Sequence, residues 1–191
     1  MRRKAEMRQI SLANVLLRAI QTKISTKKRC TAILTALLLT NRIYVMTARE
    51  MWLLFRKKNS IDTDSYEVWA FGDEPDELAK LVLEGKKTAT ASVYDLYGYD
   101  SEPLPKAGEY SVIIDSQDRA VCVIRDTEVT IVPFKDVDED QAWREGEGNR
   151  SLEYWRSVHR ECFSKWLEDA GMTFTENTRI VLEKFDVVFK P

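Results

Sequence analysis

The segment Gly85-Lys-Lys-Thr-Ala-Thr-Ala-Ser92 is the most distinctive stretch of this chain, because it joins a predicted helix to a predicted strand. The acidic run 73–77 contains a proline and is typical of a helix start, and Gly85 suits the left-handed turn that ends such a helix. The β-prone residues 88–93 then predict a strand. Alternation along that strand places three hydroxyls on one face: Thr88, Thr90 and Ser92.

The sequence on either side of this segment predicts a mixed α+β domain. Thr47 and Glu50 form a capping-box pattern at a helix start, and the short apolar run 68–71 predicts a strand. A loop at 98–108 is followed by a hairpin of strands 110–114 and 120–124. The second strand of this hairpin continues to Pro133 and is long enough to bend. The remaining elements are a short helix at 138–144, a long helix capped by Ser151 and a last strand at 179–189. Because no βαβ alternation is present, we expect a curled sheet or a small β-barrel with flanking helices.

Charge divides the chain into two parts. Residues 1–45 carry ten Lys or Arg and one acid, a net charge of +9, whereas residues 46–191 carry 19 basic and 30 acidic residues, a net charge of -11. We interpret 1–45 as a basic extension outside the fold and 46–191 as the domain. Three interpretations of the extension stay open: an organelle transit peptide, a nucleic-acid-binding arm, or a non-native or upstream-translated segment before a start at Met46 or Met51.

Composition excludes several classes of protein. The 191 residues are 44% hydrophobic, which rules out wholesale disorder, and no apolar run reaches the roughly 18–20 residues of a membrane span, so we expect no membrane partner. Three scattered cysteines, Cys30, Cys122 and Cys162, give no disulfide framework and favour a reducing compartment, the cytoplasm. The acidic body argues against charge-driven binding to long nucleic acid, and no DNA is expected as a partner.

Lys86 and Lys87 lie beside the row of strand hydroxyls and form the first candidate site. Cations next to hydroxyls suit a phosphate or a polarised carbonyl. The alternative is a solvated lysine pair after a helix end, followed by threonines that favour a strand, because the pattern is not the phosphate-binding G-x-x-x-x-G-K-[ST] motif.

The stretch Glu145-Gly-Glu-Gly-Asn149 is the second candidate site. Its carboxylates, Glu145 and Glu147, suit a general base or a water-positioning group, or alternatively an acidic loop that caps the helix after it. His159 lies on the apolar stripe of that helix, which favours a core or cleft-edge imidazole over a catalytic base. The sequence has one histidine, which excludes a Cys/His zinc site, and we expect no metal.

A tyrosine cluster forms the third candidate. Tyr94, Tyr97 and Tyr99 follow the predicted strand 88–93, and their rings are of the kind that stacks on a nucleic-acid base. The alternative is packing within a loop.

These motifs, taken in order, resemble the ASCH domain (activating signal cointegrator homology), in the bacterial form described as a predicted RNA-binding protein. The resemblance covers residues 50–190 and is carried by these motifs: Trp69-Ala-Phe-Gly-Asp73, Gly85-Lys-Lys-Thr-Ala-Thr90, Gly108-Glu-Tyr110, Pro133-Phe134, Glu145-Gly-Glu-Gly148, Ser151-Leu-x-x-Trp-Arg156 and His159. It implies a PUA-like β-barrel with helices packed outside and a cleft near the G-x-K-x-x-T segment.

The resemblance also implies two functions. ASCH domains are proposed to bind RNA, and one small bacterial branch hydrolyses the acetyl amide of N(4)-acetylcytidine with a Lys and a Thr of the G-[RK]-K-T-x-T string and a downstream Glu. In this sequence those residues are Lys87, Thr90 and Glu147, with Glu145 in reserve, and Ala91-Ser92 stands where that branch has an arginine. No metal or organic cofactor is implied.

We therefore weigh a module that binds RNA or a small nucleoside-like ligand against a metal-independent amidohydrolase, with a protein-interaction module as a third possibility. In the hydrolase, a desolvated Lys87 is expected to lose its charge and take the proton of the Thr90 hydroxyl. Residues three apart in a strand face opposite ways, so this requires Lys87 in the turn before the strand. The expected ligand-binding residues are Lys86, Thr88, Ser92, Tyr94, Tyr97 and His159.

Overall fold

The computed structural model of this protein describes residues 46–191, so the interpretations of the basic extension 1–45 lie outside the described residues. The described part contains five strands: β1 (Glu67–Trp69), β2 (Ala89–Val93), β3 (Tyr110–Ile114), β4 (Ala120–Pro133) and β5 (Arg179–Phe189). It contains five α-helices: α1 (Ala48–Asn59), α2 (Pro75–Leu83), α3 (Tyr94–Asp100), α4 (Glu139–Glu145) and α5 (Leu152–Asp169). A single 3-10 turn, Phe134–Asp136, follows β4.

The five strands form one sheet in the order β1-β3-β4-β5-β2, in which β1 runs parallel to β3 and the other pairs are antiparallel. The pairing of β4 with β5 shifts register twice, at Val123/Ile124 and at Asp126/Glu128. At the second shift Thr127 is an extra residue, and its hydroxyl donates to the Lys184 carbonyl at 3.0 Å. Bulges bend a strand and increase its twist, so the sheet curls into a half-barrel, and the predicted α+β fold with a curled sheet is confirmed.

Helices cover the sheet in three apolar clusters. Trp52 and Phe55 of α1 pack on Val112 and Val123. The other two clusters lie under α2 and α5, with these buried members: Ala79, Val82, Ile113, Ile124 and Phe185 under α2, and Trp155, Phe163, Leu167, Ile180 and Leu182 under α5. These clusters fix the helices around the sheet and leave part of one sheet face to polar residues.

Alternation along β5 decides which side chains share that face. Leu182 packs in the α5 cluster, so its neighbour Glu183 lies on the opposite face together with Phe185. In the sheet Glu183 is directly opposite Thr90 of β2, and Phe185 is opposite Asp126 of β4. Directly paired residues point to the same side, so these polar side chains share the interior face of the half-barrel.

Most predicted element boundaries agree with the structure. Thr47 forms the predicted capping box with Glu50, and Ser151 caps α5 through a bond from the Tyr154 amide. One prediction is wrong, because the first residues of the predicted loop 98–108 belong to the end of helix α3. This helix ends at Ser101, which has a left-handed backbone conformation. Gly98 is tolerated there because it lies on an exposed helical turn.

Within residues 46–191 no helix has both the length and the apolar character needed to cross a membrane.

Candidate functional site

Lys87 is the centre of a buried ion cluster. It lies in the turn between α2 and β2, its side chain is 1% exposed, and its Nζ is 3.0 Å from Oε2 of Glu145 and 2.9 Å from Oε1 of Glu147. The Phe71 ring centroid lies 5.3 Å from the same nitrogen. The structure therefore brings Lys87 and the glycine-flanked acids together, with the lysine in the turn before the strand.

Backbone contacts explain why residues about sixty positions apart meet here. The amides of Lys86 and Lys87 both donate to the Leu81 carbonyl, which folds the end of α2 back on itself. The Thr88 amide donates to the Arg144 carbonyl at 2.7 Å, which joins the start of β2 to the end of α4. A Cβ on Gly146, whose φ is +74°, would lie 2.4 Å from the Lys86 carbonyl oxygen, so only glycine allows this approach.

Glu145 is fully engaged within the cluster. Besides Lys87, its oxygens accept hydrogen bonds from Gln141 Nε2 at 3.0 Å and from Trp155 Nε1 at 2.6 Å, and His159 Nε2 lies 3.4 Å away. The Glu147 side chain, by contrast, is 18% exposed. Glu147 is therefore the acid of the cluster that can meet a ligand, whereas Glu145 holds the cluster together.

Electrostatics keep the cluster charged. Burial alone would lower the pKa of Lys87, but the attraction of Glu145 and Glu147 outweighs burial and raises it. Burial alone would raise the pKa of Glu145, but the charge of Lys87 and the contact with His159 hold it well below its ordinary value. The expectation that a desolvated Lys87 loses its charge is therefore wrong, because two carboxylates compensate for the lost water and the ammonium cannot take a proton from Thr90.

Thr90 is joined to the cluster through its backbone rather than its hydroxyl. Its carbonyl accepts a hydrogen bond from Gln141 Nε2 at 3.1 Å, and Gln141 also contacts Glu145. Among residues 46–191, the Thr90 hydroxyl has no hydrogen-bond partner. It faces the interior of the half-barrel opposite Glu183.

His159 occupies the edge of the ion cluster. Its ring stacks on Trp155 with centroids 4.1 Å apart, and its Nδ1 is 2.9 Å from the Trp155 carbonyl oxygen. With Nε2 near Glu145, both ring nitrogens face protein groups. This matches the predicted cleft-edge imidazole more closely than a ligand-binding group.

The structure separates the three tyrosines. Tyr97 bonds to Ser92, with 2.8 Å between the two oxygens, so this pair lies beside the interior face. The Arg179 guanidinium covers the Tyr94 ring at 3.7 Å, and Tyr99 is 62% exposed. The three rings therefore do not form one stacking surface, because Tyr94 already stacks on an arginine.

The two remaining predicted ligand-binding residues lie near the ion cluster. Lys86 is exposed and pairs with Glu84 at 2.6 Å. Thr88 contributes backbone bonds, to the Arg144 carbonyl and from the Phe185 amide. A cavity of about 550 Å³ opens beside Glu147 and gives it access to solvent. Its other lining residues include Glu74, Glu77, Leu81, Lys86, Arg150 and Tyr154.

Two buried acids on the interior face were missed by the sequence analysis. Asp126 and Glu183 are 5% and 7% exposed, and neither carboxylate has a hydrogen bond or ion pair with a residue of the described part. Burial and the charge of Asp126 raise the pKa of Glu183 to about 8, and burial with the charge of Glu109 raises that of Asp126 to about 6. The available signal was a lone acid inside the apolar run Ile180–Phe185.

We call these groups the polar face and define it by five residues: Thr90, Ser92, Tyr97, Asp126 and Glu183. Burial also raises the pKa of Tyr97, to about 12, so its hydroxyl keeps its proton. The polar face thus offers hydroxyls and carboxyls that can donate or accept hydrogen bonds. Over residues 46–191 no group of three or more His, Cys, Asp or Glu side chains has an arrangement that could hold a metal ion.

Comparison with known proteins bears on the fold and the family. The family model for the ASCH domain matches residues 67–189. The ASCH domain of Lactobacillus crispatus JV V101 is 29% identical, covers 76% of this chain and 98% of its own, and superimposes with a TM-score of 0.68. A protein of Enterococcus faecalis V583 is 35% identical, covers 73% of this chain and 86% of its own, and has the same TM-score.

A further ASCH structure shows more remote similarity. The ASCH protein of Zymomonas mobilis is 14% identical, covers 65% of this chain and 68% of its own, and has a TM-score of 0.36. No curated protein matches the chain. The family model nevertheless spans most of the chain, including the ion cluster and the polar face, and this chain belongs to the ASCH domain family.

Proposed function

We propose that this chain binds a nucleoside-like ligand, free or within single-stranded RNA, on the polar face. The observation that carries the proposal is the set of unused polar groups there: the Thr90 hydroxyl and the Glu183 carboxyl face each other across the sheet, and neither has a hydrogen-bond partner in residues 46–191. Neither group is among the fully buried polar atoms without a partner, so both keep some contact with solvent, and a ligand can reach them and pair with them.

The charges that line the cavity beside Glu147 favour a short ligand. Lys86 and Arg150 line its wall and can contact phosphate, whereas Glu74 and Glu77 line the same cavity and repel it. The lining of this cavity therefore combines a small positive patch with acids. Such a patch suits one or a few nucleotides rather than a long nucleic acid.

Calorimetric titration of the full-length protein with short single-stranded RNA and with single nucleosides tests this proposal. Thr90→Val removes a hydroxyl of the polar face and is expected to weaken binding about tenfold, the effect of one lost hydrogen bond. Ser157→Ala, which removes an exposed hydroxyl on α5, is the matched control. Equal affinities of both variants and the parent would contradict the proposal.

A salt titration tests the phosphate contact separately. Affinity for RNA should fall as salt rises, and Lys86→Ala should make that dependence shallower. An unchanged slope would exclude Lys86 from phosphate binding. The nucleoside measurements carry no phosphate and report on the polar face alone.

The second candidate function, also a proposal, is a metal-independent amidohydrolase acting on an acylated cytidine. The observation that favours it is the Glu147 carboxylate, which contacts the charged Lys87 and lines the open cavity. Glu147 would take a proton from a water molecule as that water attacks the amide carbonyl, and would pass the proton to the leaving amine. The products are a carboxylic acid and the free amine, and Lys87 orients Glu147 throughout.

Release of cytidine from N(4)-acetylcytidine by the full-length protein measures this activity. Glu147→Gln should lower the rate about 10²–10⁴-fold, whereas Glu153→Gln, at an exposed position of α5, should not. Lys87 is a poor choice for this test because its removal disturbs the buried cluster. If no cytidine is released by the parent protein, this chain is not a hydrolase for that substrate.

A further inference from the structure

Glu183 is a buried acid that neither the ion cluster nor the hydrolase step uses. It lies at the centre of β5, paired with Thr90 on one side and with Val129 on the other. Its residual 7% exposure faces the interior of the half-barrel, since the opposite face of β5 packs under α5. A ligand on the polar face would therefore lie directly against this carboxyl.

The titratable groups that interact with Glu183 are all acids: Asp126 on β4, Glu109 before β3, Glu145 on α4 and Tyr97 on α3. Of these, Glu145 is already paired with Lys87 of the ion cluster. No lysine, arginine or histidine pairs with Glu183 in the described residues. A carboxyl that is buried among acids without a cation is most stable in its neutral form.

A neutral carboxyl differs from a carboxylate in what it recognises. It carries one O–H donor and one C=O acceptor side by side, whereas a carboxylate carries acceptors only. The base edges of cytidine and adenosine present an acceptor nitrogen beside an exocyclic amine. Such an edge can form two parallel hydrogen bonds with a neutral carboxyl.

We propose that Glu183 is a specificity-determining residue that pairs, through its neutral carboxyl, with a base edge carrying an acceptor nitrogen beside an amine. This inference rests on the proposed nucleoside binding and extends it to the class of base. The Thr90 hydroxyl opposite Glu183 supplies a further donor or acceptor for the same edge. The pKa of Glu183, raised to about 8, agrees with a neutral carboxyl at neutral pH.

Affinities of full-length protein for cytidine and adenosine, measured between about pH 6.5 and pH 9.5, test the inference. The parent protein should bind progressively more weakly above pH 8, by about tenfold for each pH unit once Glu183 has ionised. Glu183→Gln keeps a donor beside an acceptor and cannot ionise, so it should bind with a flat pH profile. Glu183→Ala should bind weakly at every pH.

Two comparisons make the outcome specific. Glu128→Gln makes the same chemical change at an exposed position of β4, on the side of Lys184, and should keep the parent profile. Purine riboside lacks only the exocyclic amine of adenosine and should bind about tenfold more weakly to the parent protein. A pH-independent parent profile, or binding that strengthens as pH rises, overturns the role of Glu183 and leaves nucleoside binding intact.

Failure of the proposed function gives a different result. If neither nucleoside binds at any pH, nucleoside binding is wrong, and the specificity role falls with it. The protonation of Glu183 is then still measurable, because the stability of the parent protein relative to Glu183→Gln should decline as the pH rises from 4.5 to about 8. A constant stability difference over that window would show that Glu183 is ionised, which independently contradicts the recognition by a neutral carboxyl.

Discussion

The ion cluster and the polar face place buried charge on the same half-barrel in opposite ways. In the ion cluster Lys87 is matched by Glu145 and Glu147, and Glu145 is further bonded to Gln141 and Trp155. On the polar face Asp126 and Glu183 have no partner among the described residues. Groups that are already paired fix structure, whereas unpaired groups remain available to a ligand. The acids of the ion cluster are paired with a cation, and the acids of the polar face have no partner among the described residues.

Breaking the ion cluster should give the largest loss of stability. Lys87→Met leaves Glu145 buried without its cation, which is expected to lower the free energy of unfolding by about 3–5 kcal/mol. Urea unfolding of the full-length protein measures the change. Glu147→Gln is the milder comparison, because Glu147 is partly exposed and the Lys87–Glu145 pair remains. Equal losses in the two variants would show that the cluster does not depend on its buried cation.

Removing an acid that has no partner should raise the free energy of unfolding rather than lower it. The pKa of Asp126 is raised from 3.8 to about 6, so as pH rises through this window the unfolded chain loses its proton first and stability falls. Asp126→Asn does not ionise and should exceed the parent protein by about 1.4 kcal/mol for each pH unit of the window, with the gain retained at higher pH. Thermal or urea unfolding across that range measures it.

Asp126→Asn also tests whether Asp126 affects ligand binding through Glu183. The charge of Asp126 helps to raise the pKa of Glu183, so Asp126→Asn should move the loss of cytidine binding to a lower pH. An unchanged midpoint would mean that the two acids do not interact across the polar face.

Gly146 tests how the ion cluster is assembled. Gly146→Ala introduces a left-handed residue, at a cost of about 1–3 kcal/mol, and a methyl group that overlaps the Lys86 carbonyl. Gly171→Ala is the matched control, because its φ of +73° is nearly the same and nothing lies within 4 Å of the added methyl. Unfolding free energies of the two variants separate strain from overlap. We expect Gly146→Ala to lose more, and equal losses would rule out the close approach.

The smallest effect is expected at the edge of the polar face. Tyr97→Phe removes the 2.8 Å hydrogen bond with Ser92 and should cost about 0.5–1.5 kcal/mol. Tyr99→Phe is its comparison, because Tyr99 is 62% exposed and has no side-chain hydrogen bond within the described residues. Urea midpoints of both variants measure the difference, and a larger loss for Tyr99→Phe would be inconsistent with this assignment.

Local sequence signals predicted the elements and part of the site. The last strand, 179–189, agrees with the structure because it is rich in β-branched and aromatic residues, and the cap at Ser151 follows from a hydroxyl at a helix start. The length of the run 120–133 predicted a bend, which the bulges provide. Local motifs singled out Lys87 and Glu147 separately, and only the family resemblance joined them in one site, since a separation of 60 positions carries no local signal.

Charge states were beyond the reach of sequence reasoning. Whether burial neutralises Lys87 depends on two acids that reach it only in the folded chain, and these acids keep it charged. The pKa of Glu183 also depends on acids that approach it only in the folded chain, but there they favour the neutral form. Tyr94 shows a similar limit of sequence reasoning, because its ring is covered by Arg179, which lies 85 positions away in β5. Each of these properties is set by tertiary neighbours rather than by residue type.

The bulge at Thr127 has a consequence for engineering. Because this residue is the surplus one in β4, its deletion would preserve every strand partner from Glu128 to Pro133 while straightening the strand. Such a shortened protein would keep all its ionisable side chains and alter only the curvature that encloses them. The curvature of the sheet and the set of buried ionisable side chains could thus be changed independently in the same protein.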